Sequence, residues 1–490
     1  MDSPVIIVGA GPAGLTLAGE LRLADVDVVV LERLSEPTGQ SRGLGFTART
    51  MEVFDQRGLL PRLGDVEISN EGHFGGLPID FAVLEGAHFG GKGIPQSQTE
   101  RMLADWCADL GTDIRRGHEL VDLADDGDGV DVTVRTPDGE RQLRGSYVVG
   151  CDGGRSTVRK AAGFDFPGRA ATMEMFIADV SGVDIRTRMT GETRPGGMVM
   201  AGPLGDGVVR IVVCEKDRPA QRRTEAPGFA EIAAGWQRLT GQDISHGTAT
   251  WCTSFGDASR QAAEYRRNRV LLAGDAAHIH LPAGGQGMNA SIQDAVNLGW
   301  KLAATVHDWA PPDLLDTYHG ERHPVGARLL MNTQAQGLLF LSGDEVQPLR
   351  DVLTELIGYR DVSRHLAGMV SGLEIRYDVG PGEHPLVGRR MPKQELVTPV
   401  DKTTSTDLLH SGRGVLFDFV NDVELRGIAT DWEDRVDVVT ATPHAVSAES
   451  GLADTDAVLV RPDGYVAWAA PGCGTVTAAL RRWFGAPLPH

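Results

Sequence analysis

The segment Val5-Ile6-Ile7-Val8, followed at once by Gly9-Ala10-Gly11-Pro12-Ala13-Gly14, limits what this chain can fold into more than any other feature. A continuous β-branched run suits a strand buried on both faces of a parallel sheet, and this one ends in a Gly-x-Gly-x-x-Gly turn. Leu15, Ala18, Leu21 and Arg22 then recur at helical spacing, and a second apolar run, Val28-Val29-Val30-Leu31, ends at Glu32. Strand, glycine turn, helix and strand together make a dinucleotide-binding unit. The glycines let the backbone approach a pyrophosphate, whose charge is met by the amides and dipole of the helix start. Glu32 stands where an acidic side chain accepts hydrogen bonds from an adenosine ribose and repels a 2′-phosphate. The unit suits FAD or NAD, not NADP, and by itself does not choose between the two.

Composition narrows the partners. A chain of 490 residues has room for two to four domains. Its 47 Lys and Arg against 67 Asp and Glu leave a net charge of −20, which repels nucleic acid and anionic membranes. No apolar run reaches the roughly 18 residues of a membrane helix, and no basic segment precedes Val5, so a soluble, cytoplasmic protein is expected. The five cysteines never fall in a Cys-x-x-Cys pair. No disulfide framework, metal site or redox dithiol is expected, and most of the thiols read as small buried hydrophobes.

Two later turns follow the same plan. Gly150-Cys151-Asp152-Gly153-Gly154-Arg155-Ser156 comes after the strand-like Tyr147-Val148-Val149. Gly274-Asp275-Ala276-Ala277-His278 comes after Val270-Leu271-Leu272-Ala273 and continues through Pro282, Gly284, Gly285, Gln286 and Gly287 to Met288-Asn289 and a helix. His278 reads as a structural hydrogen-bond partner, and Asp294 as a first-turn charge complementing that helix's dipole.

With these three turns in order, the chain resembles the class A flavoprotein monooxygenases, single-component FAD enzymes that hydroxylate aromatic rings. The stretches Ser41 to Thr50, Gly72 to Pro78 and His280 to Asn289 are most similar to aromatic polyketide hydroxylases of the angucycline type, over nearly the whole length. The resemblance implies an α/β fold: a Rossmann-like FAD-binding domain with an inserted β-sheet substrate domain and a C-terminal thioredoxin-like domain. The expected boundaries are 1–173 and 268–389 for the FAD domain, 174–267 for the sheet and 390–490 for the tail. Val208 to Val213 fits the inserted sheet, and Val458 to Trp468 reads as a hairpin with a Pro-Asp-Gly turn. The tail lacks the Cys-x-x-Cys of a redox thioredoxin, so packing or assembly is its expected role.

The same resemblance assigns noncovalent FAD contacts to Gly9, Gly11, Pro12, Ala13, Gly14, Glu32 and Arg33, and adds Arg42 and Gln96, with Gln98 competing for the register of the latter. The backbone near Leu120 is assigned to adenine, Asp152 to the support of the flavin site, and Asp275 to the ribitol. Gly285, Gly287, Met288 and Asn289 are assigned to the ring, and Pro282 to the surroundings of the oxygen site. It implies that NADPH, or alternatively NADH, reduces the flavin. Dioxygen then adds at C4a, and the hydroperoxide passes one oxygen to an electron-rich polycyclic substrate. A benzoate would call for a facing arginine, which neither Gly72 to Pro78 nor Pro195 to Met200 supplies. Three readings compete: Baeyer–Villiger insertion by the same flavin, an NAD-dependent dehydrogenase that uses only the first turn, and a non-catalytic flavin carrier. No sequence feature fixes an oligomeric state.

Overall fold

The computed structural model describes residues 3–65, 68–84, 91–221, 223–447 and 450–488. The run Val5–Val8 is an interior strand of a six-stranded sheet ordered Arg266–Arg267, Val270–Leu272, Tyr147–Gly150, Val5–Val8, Val28–Glu32 and Asp113–Arg116. Val5 pairs in parallel with Tyr147 on one side and Val28 on the other. Only the short edge strand Arg266–Arg267 is antiparallel. The three turns singled out above therefore leave from the carboxyl ends of three adjacent strands, the side on which open α/β sheets bind ligands. The helix Pro12–Leu23 opens directly from the first of them.

Between Gly150 and Val270 the chain leaves this sheet and builds a second, five-stranded antiparallel one. Its order is Arg188–Arg194, Gly197–Gly205, Val208–Pro219, Met173–Ser181 and Thr248–Gly256. Period-two alternation gives it two different faces. Phe176, Ala178, Val199, Ile211 and Val213 pack on Ile232 and Trp236 of the helix Phe229–Thr240. Met173, Met175, Met198, Met200, Cys214 and Phe255 look the other way, against Leu281, Ala283 and Phe340.

The long helix Gln286–Val306 follows the third turn and Thr317–Leu341 comes after it. The tail forms a four-stranded sheet ordered Val436–Thr440, Gly414–Asp418, Ala457–Val460 and Val466–Ala470. Its first pair is parallel and the others antiparallel, with helices Val423–Ala429 and Val476–Phe484, a thioredoxin-like arrangement.

The Pro-Asp-Gly hairpin of this tail is not the exposed turn that such residues usually make. Arg461 is 0% and Asp463 1% exposed. Arg461 donates to both Glu321 carboxylate oxygens at 2.6 and 2.8 Å and to Asp463 at 3.0 and 2.5 Å. Lys301 reaches Glu321 at 2.8 Å, Arg49 donates to the Asp463 carbonyl at 2.9 Å, and Arg57 to the Pro462 carbonyl at 2.7 Å. The hairpin thus plugs into the FAD domain through buried, paired charges. Burial opposes the Glu321 charge, yet Arg461 and Lys301 outweigh it and pull the pKa down to about 2.

Asp294 departs from its sequence reading. The helix begins at Gln286, because Gly285 takes the left-handed conformation (φ +65°) that starts it, so Asp294 lies two turns inside and is 1% exposed. It is a buried ion-pair member, not a dipole-facing surface charge.

Candidate active site

The glycine turn is held by backbone proximity. A Cβ on Gly9 (φ +106°) would sit 2.5 Å from the Cys151 carbonyl oxygen, and one on Gly14 1.9 Å from the Gly9 carbonyl oxygen. On Gly11 it would meet nothing within 4 Å, so the space above the turn is open. The helix behind it has no acidic residue in its first turn and no side chain capping its amides, which leaves its positive end available to an anion. The Ala10 and Leu34 amides donate to the two Glu32 oxygens at 2.9 Å each, and these bonds aim the carboxylate beside the turn. Arg33 and Arg42 are exposed and make no hydrogen bond or ion pair. Leu120 is buried in the strand Glu119–Asp125.

Gln96, not Gln98, meets the loop after Ser41. The Gly43 amide donates to Gln96 Oε1 at 3.2 Å, and Gln96 Nε2 donates to Glu100 at 2.7 Å, whereas Gln98 turns to the Leu63 carbonyl at 3.3 Å. Asn289 spends its amide on the same loop: Oδ1 accepts from the Thr47 amide at 2.9 Å, and Nδ2 donates to the Gly285 carbonyl at 2.9 Å. The loop and the start of the helix Gln286–Val306 are therefore tied into one frame. Met288 lines that frame, 3.1 Å from where a Cβ on Gly43 would stand.

The Asp152 carboxylate accepts from the Thr157 and Val158 amides at 2.6 and 3.1 Å through one oxygen, and its other oxygen is buried without a partner. The Asp275 carboxylate is exposed and makes no hydrogen bond or ion pair. Behind it the third turn is fixed by a buried lock that the sequence did not reveal. Asp294 accepts from the Gly274 amide at 3.1 Å, from His278 Nε2 at 2.7 Å and from Arg322 Nε at 2.6 Å. Burial opposes the Asp294 charge, but Arg322 and His278 prevail and hold its pKa below the usual carboxylate range. His278 is thus an orienting partner, as its sequence position suggested.

These features fit FAD. An open glycine turn at an uncapped helix start suits a pyrophosphate. The aimed Glu32 suits a ribose, and the unengaged Asp275 suits a polyol. Gly285 is exposed and a Cβ there would meet nothing within 4 Å, so the backbone at the start of a 21-residue helix is open to a flat ring. Pro282 is exposed at the same turn, between Leu281 and Ala283, which pack on the methionine face.

A family model described as an FAD binding domain matches residues 2–333, and one described as the C-terminal part of aromatic-ring hydroxylases matches residues 384–487. The chain belongs to the FAD-binding aromatic-ring hydroxylases. This hydroxylase is 66% identical to CabE, whose crystal structure is described as an aromatic hydroxylase from angucycline biosynthesis. The two superpose with a TM-score of 0.97, covering 99% of this chain and 100% of the other. It is 44% identical over 514 residues to a 12-dehydrotetracycline 5-monooxygenase/anhydrotetracycline 6-monooxygenase of Streptomyces rimosus, covering 99% of this chain and all of that one. A rifampicin monooxygenase of Streptomyces venezuelae is 45% identical over 489 residues, with 98% of each chain covered.

The stretch Pro195 to Met200, singled out in the sequence, puts Met198 and Met200 on the methionine face. Sequence reasoning missed Met173, Met175 and Phe340, which join them from elements far apart in the chain. The Gly72 to Pro78 stretch is a hairpin of Glu71–Phe74 and Leu77–Asp80 resting on Phe340, with the His73 ring edge-on to it at 5.2 Å. Among the described residues, no helix is long and apolar enough to cross a membrane.

Proposed function

We infer that this FAD-dependent monooxygenase hydroxylates a polycyclic aromatic polyketide of the angucycline type in antibiotic biosynthesis. The observation that carries the reading is the apolar, methionine-rich face of the inserted sheet lying over the Pro282 to Gly287 turn. A flat, apolar molecule of three or four rings suits such a face, and a small carboxylated one does not. Bound FAD supplies the oxygen chemistry, with NADPH as reductant.

The chain's own groups do the rest. Gly11, Pro12, Ala13 and Gly14 offer amides and a helix dipole to the pyrophosphate. Glu32 takes the adenosine ribose, with Arg33 and Arg42 beside the anionic linkage and Leu120 toward adenine. Asp275 takes the ribitol, and the Asp152 turn supports it. Gly285, Gly287 and Met288 present the start of a long helix to the pyrimidine edge, where its dipole favours negative charge on the reduced ring. Asn289 and Gln96 hold the loop from Gly43 to Thr47 against that edge. The methionine face and Leu281 exclude water, which keeps the oxidising species from being lost to solvent. Pro282 shapes the space between ring and substrate. A phenolic substrate brings its own activating hydroxyl, so no protein base is required. The site of action is the cytoplasm.

The test is turnover of tetracyclic angucycline-type phenols and quinones by FAD-loaded protein with NADPH and ¹⁸O-labelled dioxygen, read by mass spectrometry. One labelled oxygen on a ring carbon supports the reading. An oxygen inserted into a ring would establish Baeyer–Villiger chemistry instead, and better turnover of benzoates would remove the polycyclic assignment.

A further inference from the structure

A cavity of about 480 Å³ lies behind the start of the flavin-side helix, between the helices Gln286–Val306, Thr317–Leu341 and Arg360–Ser371. It shares no residue with the methionine-rich face, while Thr47, Gln286 and Asn289 of the loop–helix frame line its near end. Pro324, Val325, Leu329, Met369, Val370 and Ile375 make apolar walls. Its floor carries primary amides, and one of them has no partner: Gln293, 8% exposed, faces the cavity and makes no hydrogen bond. Its amide opens onto the cavity, so a ligand seated there can bond to it.

The charged residues at the mouth each have a hydrogen-bond or ion-pair partner within the protein. Arg328 pairs with Glu374 at 3.6 Å, Arg376 donates to the Val387 carbonyl at 3.0 Å, and Asp378 accepts from the Gly380 amide at 3.1 Å. Of these, only Arg328 and Glu374 form a charge pair; Arg376 and Asp378 keep their charges and are exposed to solvent. The volume lies in the range of small-molecule sites. The neighbouring floor amides are committed to a relay. Asn332 donates to Gln286 at 3.0 Å and Gln336 donates to Asn332 at 3.0 Å, while the Gly75 amide donates to Gln336 at 3.1 Å. This relay joins the cavity to the first residue of the flavin-side helix and to the hairpin beside the substrate pocket.

We propose that this cavity is a second binding site, for a neutral fused-ring aromatic whose carbonyl or phenolic oxygen bonds to Gln293. The hydroxylase reading enters only as the source of such a molecule, as substrate waiting or product held. Apolar walls and one unpaired amide favour the same chemistry that the methionine face takes.

The test is calorimetric titration of the FAD-loaded protein with 1-hydroxyanthraquinone, a neutral tricyclic probe. Wild type binds two equivalents. Met369→Trp, which fills the cavity from the helix Arg360–Ser371, binds one and keeps turnover. Met200→Trp, which fills the other pocket, binds one and loses turnover. Gln293→Leu weakens one of the two sites by about 2- to 10-fold, the worth of a neutral hydrogen bond. One equivalent in wild type overturns the proposal, as does an unchanged pair of affinities in Gln293→Leu, a milder change that stands in if Met369→Trp fails to fold. Full turnover with two equivalents in Met200→Trp overturns the hydroxylase pocket and leaves this proposal standing.

Discussion

Replacing Arg461 with Met should loosen the thioredoxin-like tail from the FAD domain by about 3–5 kcal/mol, the range for removing one partner of a buried ion pair. The side chain is 0% exposed and makes four hydrogen bonds to two carboxylates. Glu321 would keep Lys301 at 2.8 Å, but Asp463 would be left with only the neutral Asn297 at 3.1 Å among side-chain partners. The uncompensated charge is thus on Asp463, and the double variant Arg461→Met/Asp463→Asn should recover a large part of the loss. Native-state proteolysis, read as the population of the opened form, should rise about 10²- to 10³-fold in the single variant. Trp483, whose ring lies 4.5 Å beneath the guanidinium, gives a fluorescence signal for the same opening. There is a matching acid limb. Because Glu321 titrates at about 2 when folded and at an ordinary 4.5 when unfolded, its contribution is full above pH 4.5 and disappears as the pH falls toward 2. The variant should lose less on that limb. A destabilisation below about 1 kcal/mol, or a double variant no better than the single one, would refute the assignment of the hairpin as an ionic plug.

Asp275→Ala should remain folded yet purify without FAD; full flavin absorbance in that variant would remove Asp275 from the site. Glu32→Ala should weaken FAD by about 10- to 100-fold, the equivalent of about 1.5–3 kcal/mol for a charged hydrogen bond, measured by equilibrium fluorescence. A change confined to NADPH affinity would return the first turn to the nicotinamide. Burial pushes the Cys107 and Cys214 thiols up to about 12, so neither should react with iodoacetamide at pH 8 until the protein is unfolded, and rapid labelling of the native protein would contradict their environment.

Features set by local backbone chemistry could be read directly from the sequence. Val5–Val8 with its glycine turn, the hairpin of Val130–Thr136 and Gly139–Gly145, and the helix Phe229–Thr240 each follow from patterns of a few consecutive residues. Met198 and Met200 were legible as part of the apolar, glycine-rich stretch Pro195 to Met200. What escaped was decided by residues far apart in the chain. Arg461-Pro462-Asp463-Gly464 has the chemistry of an exposed turn, and only Arg49, Arg57, Lys301 and Glu321 make it a buried one. Asp294 was misread because a glycine at positive φ starts the helix two turns earlier, and its partners His278 and Arg322 carry no local signal. The amides of Gln286, Asn332 and Gln336 are ordinary polar residues until the fold puts them in line.

The plug also sets an order of events during synthesis. Residues 461–463 bring Arg461 to Glu321 and carbonyl acceptors to Arg49 and Arg57, beside the Lys301 and Glu20 partners that Glu321 and Arg57 already have. A nascent polypeptide that has already finished all the strands of the nucleotide-binding sheet still lacks these contacts, so that half waits with its ionic network incomplete until the hairpin is made. Domains usually mature from the amino terminus onward during translation. Here the amino-terminal one depends for part of its final packing on a hairpin made after its own strands.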